Sequence, residues 1–101
     1  MEQYGYFSCL HCKVKLWIGR PIFKDGKIYY FRGGNEQDPP NSRNLTLSRA
    51  VWKMLAEHHL HRLQVVLNTD REFEGQEEFV TIGGDRATDI PFEAFLKDWP
   101  G

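Results

Sequence analysis

Cys9 and Cys12 are the only cysteines of the chain and stand three apart in Ser-Cys-Leu-His-Cys-Lys. That spacing sets two thiolates on one tight turn, the arrangement of a metal knuckle. Two imidazoles would complete a tetrahedral set, and His58 and His61, placed i and i+3 on a helix, would share one face. Two thiolates and two imidazoles are the inventory of a structural zinc site, because four protein ligands leave no position open for water. The gap between the pairs is far longer than in a classical zinc finger, and His11 and His59 are alternative ligands. The competing reading makes His58 a core histidine and the other helix-end histidines partners of the helix dipole. A redox pair would open a helix after a strand, where the dipole lowers a thiol pKa. Here Lys-Val-Lys-Leu-Trp-Ile follows, which reads as a strand. A structural disulfide does not suit a reducing compartment.

The second chemical signal is charge. The net charge is −1 over 101 residues, yet residues 1–32 carry +4, residues 33–69 +1 and residues 70–101 −6. Asp70, Glu72, Glu74, Glu77, Glu78 and Asp85 make an acidic rim around the last strands, and such a field steers a partner of opposite sign. Trp17, Trp52 and Trp99 are candidate anchors for a protein interface. In the basic head, Lys13, Lys15, Arg20, Lys24, Lys27 and Arg32 are interleaved with Tyr4, Tyr6, Phe7, Trp17, Phe23, Tyr29, Tyr30 and Phe31, although the near neutrality of the whole chain argues against a dedicated phosphate binder. Aromatic and cationic side chains so mixed can stack on bases and meet phosphates. Against both readings stands the ordinary alternative, an acidic solvated surface and an aromatic core.

Catalytic signatures are missing: there is no P-loop, no G-x-S-x-G elbow and no H-E-x-x-H. The opening residues lack a basic segment followed by an apolar one, and no apolar run approaches the roughly 20 residues of a membrane helix. A cytoplasmic setting is therefore expected.

These residues need elements to hold them. An aromatic strand at 4–7 leads into the Cys pair, and a second strand covers 14–18 before Gly19-Arg20-Pro21 breaks it. Asp25-Gly26 between two β-rich runs predicts a hairpin over 21–24 and 27–32, since a type I′ turn needs two residues that tolerate positive φ. Residues 33–44 read as a loop from their Gly, Pro and polar content. Leu47, Val51, Met54, Leu55 and His58 recur at helical spacing and predict a long helix over 45–62. Strands at 63–68 and 78–82 follow, then a short helix over 91–98. The length suits one domain, 1–101, with a β-rich basic half, 1–32, and a helix-strand-strand-helix half, 45–101. The expected fold is α+β: one small antiparallel sheet with a central long helix and a short C-terminal helix packed on it.

The function expected from these features is non-enzymatic binding of another protein. Its most concrete form is an inhibitor or immunity-type protein that neutralises its partner through the acidic and aromatic surface. The runner-up is a zinc-knuckle nucleic-acid-binding protein. A structural zinc ion is the one cofactor that the residues could hold.

Overall fold

The computed structural model describes residues 3–33, 44–84 and 86–101. Its strands are β1 (Gly5–Cys9), β2 (Val14–Lys24), β3 (Lys27–Arg32), β4 (Leu63–Leu67) and β5 (Val80–Ile82). Helix α1 spans Asn44–Glu57, a 3-10 helix spans Arg71–Gln76, and α2 is a single turn, Phe92–Phe95. The strands form one sheet in the order β3-β2-β1-β4, with β5 also on β2.

The predicted hairpin is present. Asp25 and Gly26 take φ of 54° and 79°, the positive values that a two-residue type I′ connection demands. The predicted break at Gly19-Arg20-Pro21 is instead a bulge inside one continuous strand. β2 pairs with β1 as far as Gly19 and with β3 from Arg20 onward. Gly19, at φ 95°, is the hinge of that exchange, and a Cβ there would lie 2.1 Å from the Arg32 carbonyl oxygen. Pro21 lacks an N–H, so it is tolerated where the ladder changes partners.

Two parts of the expected architecture are corrected. The sheet is not wholly antiparallel: β5 runs parallel to β2, Val14 opposite Val80 and Leu16 opposite Ile82. The chain reaches β5 only after α1, β4 and the 3-10 helix, a connection long enough to return it in the same direction. The central long helix over 45–62 is absent. α1 stops at Glu57, is 14 residues long, and is the only α-helix of more than one turn among the described residues. The cause is tertiary. Leu10 N donates to Arg62 O, and Cys9 pairs with Leu63, so the chain must already be extended by residue 62. Leu60 absorbs the reversal with φ 67°, its side chain 95% exposed. The C-terminal helix likewise covers one turn instead of 91–98. A Leu96 turn follows it, and Asp98 sits at φ 61°. The fold is thus a curled five-stranded sheet, antiparallel except for β5, with one short helix against it.

The core forms where α1 meets one face of this sheet. Cys9, Leu16, Ile18, Ala50, Met54 and Ile82 are buried together, with Leu96 closing the cluster from beyond α2. Arg49 holds that terminal segment to α1, donating through Nε to Gly101 O at 2.8 Å, while Lys53 Nζ donates to Phe95 O. Most of the expected loop at 33–44, and Asp85 of the acidic rim, lie outside the described residues.

Candidate metal centre

Cys9 ends β1 on its core side, with no exposed surface. The turn after it closes through Lys13 N to Cys9 O at 2.9 Å, and Lys13 takes φ 57° so that the chain can reverse into β2. Within the turn, Cys12 N donates to Cys9 Sγ at 3.4 Å. The same turn is tied to the far side of the chain by Leu10 N to Arg62 O, 2.9 Å.

That tie brings the histidines in. His58 and His61 do not share a helix face as expected, because α1 ends before them. They stand on the turn that terminates it, where His61 N donates to His58 O at 3.0 Å. Their rings meet edge-on, centroids 5.5 Å apart. His61 Nδ1 lies 3.6 Å from Cys9 Sγ and 3.5 Å from Cys12 Sγ. The ligand atoms of Cys9, Cys12, His58 and His61 all fall within 4.8 Å of one another.

These separations have a chemical meaning. With a metal–sulfur bond of about 2.3 Å and a metal–nitrogen bond of about 2.05 Å, tetrahedral angles place S and N about 3.6 Å apart. The two S···N separations match, so the set can hold a tetrahedral ion with little movement of His61. Electrostatics point the same way. Burial, reinforced by the neighbouring His61 and opposed by Glu57, pushes the His58 imidazole below its ordinary pKa, toward the neutral form that a metal needs. Its Nδ1 is buried with no hydrogen-bond partner, an arrangement that costs free energy unless something else meets that nitrogen. Cys12 is pushed up, first by loss of solvation and then by the hydrogen bond and charge of Cys9. A divalent cation between the sulfurs reverses that effect. Cys12 is itself exposed.

The other expected residues fall as follows. His11 is exposed and lies beside the His61 ring at 4.5 Å, outside the four-residue set, as does the exposed His59. Glu72, Glu74, Glu77 and Glu78 are exposed along the 3-10 helix and the turn after it. Asp70 is partly occupied, its Oδ2 accepting from Leu67 N at 2.8 Å. Trp52 is 67% exposed on α1, and Trp99 packs against the core.

A second feature escaped the sequence. A cleft of ≈ 960 Å³ is lined by Tyr4, Lys15, Trp17 and Phe73 together with Thr46 and Leu47 of α1. Lys15 is buried there, donating to Gln76 O at 3.0 Å with its ammonium 4.4 Å from the Phe73 ring centroid. Burial lowers its pKa, Arg86 adds to the effect, and Asp89 and Glu77 oppose it. Phe73 is the one apolar side chain in the acidic segment 70–78, a signal that a ring is held against the sheet. Its partner could not be read, because the two segments are far apart in sequence.

Comparison with protein-family models, with curated proteins and with solved structures returns no match. Function must therefore be argued from these sites. No helix among the described residues is long and apolar enough to cross a membrane.

Proposed function

We propose that this protein is a non-enzymatic binding domain whose fold is pinned by a structural zinc ion held by Cys9, Cys12, His58 and His61. The observation that supports it is the convergence of four ligand atoms within 4.8 Å from two turns far apart in sequence. Zinc is the preferred ion because two sulfur and two imidazole ligands in tetrahedral geometry suit it and disfavour calcium or magnesium. The ion would join the β1–β2 turn to the end of α1, and it has no vacant position for substrate. Protein purified without a histidine tag is expected to contain one zinc per chain by elemental analysis. A zinc content near zero after growth with added zinc would refute the site.

The acidic rim supports a second reading, a protein partner bound through Glu72, Glu74, Glu77 and Glu78, which are all exposed. Reversing Glu74, Glu77 and Glu78 to lysine should then slow association with that partner at least tenfold at low salt. Association unchanged by the reversal would dismiss the rim as a binding surface.

A further inference from the structure

We propose that the outer edge of β4 pairs antiparallel with the same edge of a second copy of the chain, joining the two sheets across a two-fold axis at Gln64. The inference goes beyond the zinc reading and does not rest on it.

Hydrogen bonding in the β1–β4 ladder fixes which way each residue of β4 faces. Leu10 N donates to Arg62 O and Asn68 N to Tyr4 O, both at 2.9 Å. In an antiparallel pair every second residue bonds to the neighbouring strand. Gln64 and Val66 therefore turn their backbone toward β1, and Leu63, Val65 and Leu67 turn theirs outward. Leu67 is already served: its N–H donates to Asp70 Oδ2 and its carbonyl accepts from Asp70 N. At Leu63 and Val65 the outward N–H and C=O groups meet no partner among the described residues.

Such an edge is a template for another strand, and proteins that remain monomeric blunt theirs with charge, proline or a bulge. The main path of the sheet ends at β3 and β4. β3 is guarded, since Lys27 lies opposite Lys24 at its tip. β4, Leu-Gln-Val-Val-Leu, has no charged residue, no proline and no bulge. Val65 pairs with Phe7 and so shares the core face of the sheet, yet it is 54% exposed. An apolar side chain is thus left uncovered beside the unpaired backbone.

Charge selects a second copy, and its direction. Arg62 is exposed at the start of β4, and the Asp70 carboxylate sits on the outer edge at its end, 2.8 Å from Leu67 N. Antiparallel pairing that sets Leu63 opposite Val65 of the partner subunit makes a reciprocal pair of backbone hydrogen bonds on each side of the axis. It also brings Arg62 toward Asp70 of the partner subunit, and symmetry repeats the contact. A parallel arrangement would set like charges side by side. Gln64, which is uncharged, meets its own copy on the axis. An unrelated peptide would satisfy the backbone groups without matching both charges.

The test is light scattering on the full chain from about 1 µM to about 500 µM, with zinc content measured on the same sample. The mass is expected to climb from the 11.9 kDa of one chain toward twice that value. Over the same range amide exchange should slow at Leu63 and Val65. It should stay unchanged at Gln64 and Val66, which already bond to β1. Val65→Lys should raise the dissociation constant at least tenfold, because it sets two ammonium groups beside the axis. Arg62→Glu should weaken the dimer as much at low salt, and added salt should then strengthen it by screening the repulsion from Asp70. Both side chains are exposed, so each variant is expected to fold like the parent. A monomer throughout the range overturns the proposal. So does a folded Val65→Lys variant that dimerises like the parent, or protection that appears along β3 instead of at Leu63 and Val65. A dimer that contains no zinc supports the pairing and refutes only the metal site.

Discussion

Cys12→Ser and His61→Ala are each expected to lower the thermal midpoint of the zinc-loaded protein by about 20 °C, and a strong chelator is expected to unfold the parent. Cys12 is exposed and His61 only half-buried, so as ordinary surface residues their replacement would change stability by no more than about 0.5 kcal/mol. A structural zinc ion alters that expectation. Its apparent binding free energy, about 10–16 kcal/mol in small zinc domains, is as large as the roughly 5–15 kcal/mol stability of a whole domain. Losing a few kcal/mol of it shifts the midpoint of a chain this size by about 4–8 °C per kcal/mol. Thermal melts followed by circular dichroism, with and without chelator, measure the effect. If both variants and the chelated parent melt with the untreated parent, the four residues hold no structural ion. Cys9 is the less informative substitution because it is also a core residue with no exposed surface.

Gly19→Ala is expected to cost about 3 kcal/mol or more, from steric overlap added to a strained backbone conformation. At Gly19 the φ of 95° is one that side chains rarely adopt, and an added Cβ would lie 2.1 Å from Arg32 O and 2.5 Å from Arg32 C. Those are backbone atoms of the paired strand, so no rotamer change relieves them. Gly26→Ala makes the comparison, because its φ is 79° but nothing lies within 4 Å of the added atom. It should cost about 1 kcal/mol, the conformational part alone. Urea unfolding of the two variants gives the difference directly. Equal losses would mean that β3 does not cross β2 at Gly19, and the course of the hairpin would have to be redrawn.

The parts of this protein legible in the sequence are those fixed by neighbouring residues. Asp25-Gly26 requires positive φ at consecutive positions and so announces its turn. The Cys-x-x-Cys spacing announces a tight turn that sets two sulfurs near each other, and the apolar period through Leu47, Val51 and Met54 announces the buried face of α1. The identities of the four metal-binding candidates could be read for the same reason, since chemistry restricts which side chains ligate.

What the sequence left open depends on partners distant along the chain. Helical spacing continues through His58 and His61, yet α1 ends at Glu57 because Cys9 and Leu10 require an extended chain opposite them. No local rule carries that demand. The parallel placement of β5 and the cradle around Lys15 depend on non-local pairing in the same way. The acidic residues near Glu77 could be counted but not arranged. The decisive quantities, the 3.5 Å from Cys12 Sγ to His61 Nδ1 and the exposure of Val65, came only from the tertiary structure. Residue type and spacing set which atoms can ligate or pair. Whether they meet depends on strand register, and register is an energy shared between segments that are far apart in sequence.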